Sequence, residues 1–249
     1  MQRLIINADD LGLTPGCNAG IVRGLTQGIV SDTTLMVNTD YTQAAVNLLK
    51  EHGISQAGLH LNLTFGVPLS PLAEVPSLVD ENGRFFRKIA RSVGGLKPQE
   101  VEKELRAQVA RFGETGLHMT HLDSHHHAHI YPGIFAMVLS LAKELAVPLR
   151  QTSTALREKI TSAGVATTDA FSLDFYDKGV TLENLQQIIR DHTGEVLEIM
   201  CHPAEAGELI YTISDYNSRR EEELAILTSA AMKAFLREND ITLISFAEL

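Results

Sequence analysis

The amino-acid sequence predicts an α/β chain folded as a distorted (β/α) barrel with mostly parallel strands. Short apolar runs of strand character alternate with longer helical patterns, the signature of βαβ units. The chain has 249 residues, 44% of them hydrophobic, which suits one sizeable core and fits a barrel better than an open sheet. Its polar clusters fall at the ends of strands, on the side of a parallel barrel where sites are built.

The elements follow in order. "LIINA" (4–8) is the first strand, and Thr14 with Pro15 makes an N-cap and first-turn pair for a helix reaching Gly28. "TTLMVN" (33–38) is the second strand, and "YTQAAVNLLKEHG" (41–53) is a helix closed by Gly53. "AGLHLNLT" (57–64) alternates as a strand. From 66 to 98, Pro68, Pro71, Pro76, Pro98 and several glycines interrupt every period, the pattern of a lid-like excursion. A helix over 98–116 follows, then a strand beginning "HMTHLDSHHHAH" (118–129), then a helix opened by Pro132. "PLRQT" (148–152), "VLEIMCH" (196–202) and "ITLISF" (241–246) supply further strands, with helices around 181–192 and 219–238. No internal repeat or linker divides the chain, so residues 1–249 read as a single domain.

The formal net charge of -10 argues against nucleic acid or an anionic membrane as partner, since both would be repelled. Cys17 and Cys201 are the only cysteines, too few for a disulfide framework or a zinc finger. No apolar run approaches the roughly 18 residues that span a bilayer. The expectation is a soluble, cytoplasmic protein.

Asp9 and Asp10 stand side by side after the first strand, His60 lies on the third, six of the ten histidines fall between His118 and His129, and His202 ends "VLEIMC". Each has an ordinary structural explanation taken alone: a turn, a core histidine, a polar loop. Thr14 already caps the first helix, so the two carboxylates are left without a local task. Neighbouring side chains on an extended segment point in different directions, so one aspartate can ligate a metal while the other faces the attacking water. Asp plus two His leaves open positions for water and substrate, as a catalytic metal requires. Read as extended chain, Asp123, His125, His127 and His129 share a face and His126 points away. Spacing leaves His125, His127 and His129 open as the ligand.

"NADDLG", "GLHLNLT", "THLDSHHHAHIYP", "EIMCHPAE" and "YNSRREEELAILTS" (216–229) resemble the YdjC-like carbohydrate deacetylases essentially end to end. Among these the chain is most similar to the bacterial chitooligosaccharide deacetylases, which remove an acetyl group from diacetylchitobiose and its 6-phosphate. The resemblance implies a metal-dependent hydrolase of a linear amide, with Asp10, His60 and His125 as metal ligands, Asp9 as general base and His202 as general acid. It also implies a distorted (β/α) barrel, a homodimer, a cytoplasmic location and Mg²⁺, although two imidazoles and a carboxylate suit Zn²⁺ or Co²⁺ better. Arg150 and Arg220 are candidates to hold a sugar hydroxyl or phosphate, His127 to contact substrate, and Phe85 or Phe86 to stack on the sugar. The alternatives are a metal-dependent phosphoesterase acting on a phosphorylated disaccharide, and a non-catalytic sugar-sensing or metal-storage protein.

Overall fold

The computed structural model describes residues 2–87, 94–205 and 207–249. Among the described residues, seven parallel strands form one sheet: β1 (Gln2–Leu11), β2 (Asp32–Leu35), β3 (Gln56–Leu61), β4 (His118–Ser124), β5 (Ala170–Ser172), β6 (Val196–Cys201) and β7 (Ile241–Leu243). Their order is β4-β3-β2-β1-β6-β5, and β7 pairs with the start of β1. β6 takes one edge of β1 along Arg3–Ala8, while β7 and then β2 share the other.

The sheet curls without closing. Between β4 and β5 lies the segment around Leu149, which bridges Leu122 and donates its amide to Ala166 ahead of β5 at 3.0 Å. "PLRQT" therefore contributes a single bridge and not the expected strand. The pairing is confined to Leu122, which donates to the Pro148 carbonyl at 2.9 Å and accepts from the Arg150 amide at 3.0 Å, while the Arg150 side chain turns inward to three carboxylates.

Helical caps follow the chemistry of their residues. Thr14 accepts from the Cys17 amide at 3.0 Å, and Pro15 begins the helix Pro15–Gln27. The helical pattern at 219–238 is two helices, Arg219–Leu227 and Ala230–Glu238, because Ser229 caps the second and ends the first. Helix Phe135–Leu145 starts three residues after Pro132. The short strand β5 and the helix Thr154–Ser162 were not expected from the sequence.

The expected lid is largely pinned. Glu104, buried on the helix Pro98–Glu114, accepts from the amides of Leu69 and Ser70 at 3.0 and 2.9 Å, and Glu100 accepts from Ser77 at 2.6 Å. Phe85 is buried in the core and bridges Val79, while Phe86 is half-buried. The sugar-stacking role thus passes away from Phe85. The stretch 88–93 of the excursion lies outside the described residues.

Between the strands and the outer helices lies the main apolar core. A second, small cluster of Ile5, Val196, Ile244 and Phe246 plugs the amino-terminal end of the sheet's interior. Burial of each such side chain contributes about 1.5–3 kcal/mol. His121 stacks on Phe246 at 3.9 Å, and Gly58 makes room for it, since a Cβ there would come 2.3 Å from the imidazole. Beyond this plug the interior is polar, and that polarity leads to the site.

Candidate active site

β1 extends through Asp9 and Asp10 to Leu11, beyond the run first read as strand. Its register against β2 shifts between Ala8 and Leu11, and Asp10 has a left-handed φ of 71°. A non-glycine residue in that region costs on the order of 1–3 kcal/mol, a strain found where a side chain must be re-aimed. The consequence is that the two neighbouring carboxylates face different partners.

Asp10 faces two histidines. Its Oδ1 lies 2.9 Å from His125 Nδ1 and 3.5 Å from His60 Nε2, yet it is buried without a properly directed hydrogen bond. The ligand atoms of Asp10, His60 and His125 lie within 4.8 Å of one another. Three converging donors with an unpartnered buried oxygen fit a cation between them. Two nitrogens and one oxygen suit Zn²⁺ or a similar transition ion better than Mg²⁺, which prefers oxygen. Asp10 Oδ2 is taken by Arg220 at 2.7 Å, leaving Oδ1 alone for an ion. Burial would raise the Asp10 pKa, but His125 and Arg220 outweigh it and hold the carboxyl well below the usual range.

His60 is oriented from behind. Its Nδ1 meets Asp123 Oδ1 at 2.8 Å, which turns Nε2 toward Asp10 and fixes the tautomer that can ligate. Without an ion the imidazole holds a proton strongly: burial opposes the charge, but Asp123, then Asp10 and Asp9, lift its pKa to about 10.

The histidine run does not continue as a strand. Residues His125–Ile130 form a 3₁₀ turn in which His126 and His127 are left-handed, with φ of 52° and 51°. The shared face expected for His125, His127 and His129 is therefore absent. His125 is buried at Asp10; His129 is buried against Ser124, 2.5 Å away; His126 meets Thr64 at 3.0 Å; His127 lies half-buried near Phe171.

Asp9 belongs to a second buried network, joined to the first through Asp123. Arg150 Nη1 and Nη2 reach its two oxygens at 2.7 Å each, and Asn7 donates to Oδ1 at 2.9 Å. The same guanidinium lies 2.9 Å from Asp123 and 2.7 Å from Glu198. Burial raises the Asp9 pKa and Arg150 overrides it, so the carboxyl stays ionised. Glu198 goes the other way: burial pushes its pKa up to about 7, with Arg150 resisting. Glu198 Oε2 has no hydrogen-bond partner, so the single contact to Arg150 Nε does not offset the burial.

His202 follows β6 and is half-buried, its Nδ1 without a partner. Glu223 accepts the His202 backbone amide and the Tyr216 hydroxyl. Gly20 permits the approach of the first helix to this loop, since a Cβ there would lie 2.4 Å from Ala204 Cα. Burial, then Arg220, push the His202 pKa down to about 4.

A family model described as YdjC-like protein matches residues 3–238. The chain belongs to the YdjC-like family. A carbohydrate deacetylase of Brevibacillus brevis is 43% identical over 250 residues, spanning all of both chains. One from Geobacillus stearothermophilus is 39% identical, over 98% of this chain and 96% of that one. A solved structure from Enterococcus faecalis V583, provisionally assigned to cellobiose-phosphate cleavage, superposes with a TM-score of 0.93 at 33% identity, covering 99% of this chain and 98% of that one.

In this YdjC-like chain both arginines expected at the substrate lie buried on carboxylates. Arg150 is fully buried and spent on Asp9, Asp123 and Glu198, so it supports the site from within. Arg220 is buried, and its guanidinium is paired with Asp10 at 2.7 Å. Sequence reasoning missed the roles of Glu198 and Glu223. A lone charge within the apolar run "VLEIMC" was the available signal for Glu198; nothing local distinguishes Glu223 among Glu221, Glu222 and Glu223.

Proposed function

We propose that the protein hydrolyses the N-acetyl group of chitooligosaccharides such as diacetylchitobiose or its 6-phosphate, using one divalent ion held by Asp10, His60 and His125. The observation that carries this reading is the convergence of those three ligand atoms on an unpartnered Asp10 oxygen with Asp9 beside them. Membership of a family whose curated relatives include carbohydrate deacetylases supports the substrate class.

A bound ion would acidify water, polarise the acetamide carbonyl and stabilise the oxyanion. Asp9 takes the water's proton; Arg150 and Asn7 fix its orientation while the second lone pair of Oδ2 stays free for that task. His202 rests neutral, so it takes up a proton released at the site and passes it to the departing sugar amine. The balance closes with one proton moving from water to nitrogen, giving acetic acid and a free amine, which at neutral pH part as acetate and the ammonium form of the glucosamine unit.

A phosphoesterase with two metal ions fits less well. Asp9, His60 and Asp123 also offer atoms within 4.8 Å of one another, but Arg150 lies at 2.7 Å from Asp9 and 2.9 Å from Asp123. A fixed guanidinium already supplies the positive charge a second ion would bring.

The test is acetate release from diacetylchitobiose and its 6-phosphate by metal-stripped protein, with Mg²⁺, Zn²⁺, Co²⁺ or nothing restored. Release that depends on added metal supports the reading and ranks the ions. No release with any ion sinks it.

A further inference from the structure

We propose that Tyr176 is a substrate-contacting, specificity-determining residue: its outer face is the platform on which the sugar ring carrying the acetamide rests. Its place in binding stands on geometry; the identity of the sugar rests on the deacetylase reading above.

Tyr176 lies in the turn after β5, at the carboxyl ends of the strands. Its ring stacks on Tyr216 at 3.9 Å and 17°, and both rings meet His202 edge-on, at 5.7 and 5.6 Å. Two tyrosine rings thus form a corner around the imidazole assigned to the leaving amine. Tyr216 is nearly buried, whereas Tyr176 is 39% exposed. With one face covered by Tyr216, the exposure belongs to the outer face and rim.

That exposure is built into the turn. The Gly179 amide donates to the Tyr176 carbonyl at 2.8 Å, and Asn184 Nδ2 donates to the carbonyls of Asp174 and Gly179 at 3.0 and 2.9 Å. Asp177 takes a left-handed φ of 50°, and a Cβ on Gly179 would fall 1.9 Å from the Asp174 carbonyl. Underneath, the Tyr216 hydroxyl donates to Glu223, its backbone carbonyl accepts from Arg220 Nε at 2.9 Å, and Arg220 holds Asp10. The platform and the ligand cluster therefore hang on one side chain.

A flat, preorganised aromatic face recognises apolar C–H surface with little entropy loss. A pyranose whose substituents are equatorial presents such a face, while its hydroxyl rim stays in water. Stacking on Tyr176 would set the amine beside His202. An acyclic acetamide has no ring face to offer and gains nothing there.

The chain has no tryptophan and five tyrosines, so its intrinsic fluorescence reports tyrosine environments directly. The experiment titrates Asp9→Asn protein with diacetylchitobiose and with N-methylacetamide, following tyrosine emission and calorimetric heat, in the Tyr176 background and in Tyr176→Ala and Tyr176→Phe. Expected is disaccharide binding that weakens about tenfold or more in Tyr176→Ala and recovers largely in Tyr176→Phe. The acyclic amide should not distinguish the variants. Equal disaccharide affinity in Tyr176→Ala, a loss in Tyr176→Phe as large as in Tyr176→Ala, or no disaccharide binding by any form overturns the proposal. Because no turnover is read, disaccharide binding without acetate release by unmutated protein would remove the deacetylase reading and leave this one standing.

Discussion

Arg150 holds Asp9 by both carboxylate oxygens at 2.7 Å, from a position with no exposure to solvent. A planar fork of this kind fixes the plane of the carboxylate as well as its charge, which a point charge cannot do. Arg150→Lys should keep the charge and the fold but free Asp9 to rotate. The expected result is a fall in kcat of roughly 10–100-fold with metal affinity nearly unchanged. Acetate-release kinetics alongside metal titration will check it; an unaltered kcat would remove the orienting role.

Asp9→Asn separates ligation from proton transfer at the adjacent position. Asp10 Oδ1, His60 and His125 remain, so metal should still bind within a few-fold. Turnover should fall by about 10²–10⁴, the span of a lost general base. Equilibrium metal binding and single-turnover acetate release read the two quantities separately. Loss of both together would mean that Asp9 is structural.

Glu198 makes a prediction in pH. Its carboxyl is raised from 4.5 to about 7 in the fold by burial, with Arg150 resisting. Between those values the native chain keeps a proton that the unfolded chain has released. Stability is therefore fully present below about 4.5 and falls as pH rises toward 7, with a limiting contribution on the order of 3 kcal/mol. Glu198→Gln mimics the protonated form and can still accept from Arg150 Nε. Urea unfolding across that range should show a shallower decline for the variant, and parallel slopes would refute the assignment.

How much of this was legible beforehand follows from which forces are local. Thr14 as a cap, Gly28 and Gly53 near helix ends, and the alternating run around His60 were readable because turn chemistry and period-2 patterning act over a few residues. Asp9, Asp10, His60, His125 and His202 were readable as a group because parallel strands deliver their carboxyl ends to one side. The partners of Arg150 and Arg220 were not readable: Asp9 lies 141 positions from Arg150, and Asp10 lies 210 from Arg220. No periodicity encodes such a meeting. The shared face assigned to His125, His127 and His129 failed for a local reason, two consecutive left-handed residues that the sequence does not mark with glycine.

Glu223 tests the anchoring of His202. It reaches the His202 amide and the Tyr216 hydroxyl together, so Glu223→Gln should lose part of one bond without emptying the space. We expect kcat to fall several-fold and KM to rise, with metal content unchanged, because both the imidazole and the stacked tyrosines shift. Glu223→Ala adds a cavity and an unpaired buried amide, and should destabilise by about 2–4 kcal/mol in chemical unfolding. Normal kinetics in Glu223→Gln would confine the residue to packing.

The strongest single prediction concerns metal affinity through a residue that never touches the ion site. Asp123 turns His60 so that Nε2 points at Asp10, and it raises the basicity of that imidazole. Asp123→Asn keeps the size and a hydrogen-bonding oxygen but removes the charge. Partners of this kind contribute about 10–100-fold in metal affinity, and the same loss is expected here. His60→Ala should cost more, since it deletes a donor of the cluster itself. The measurement is competition with a chromophoric chelator for Zn²⁺ and for Mg²⁺ in the absence of sugar. If the ion is held chiefly through imidazole nitrogen, Asp123→Asn will weaken Zn²⁺ more than Mg²⁺. An equal loss for both ions would instead assign the main contribution to the charge of Asp10.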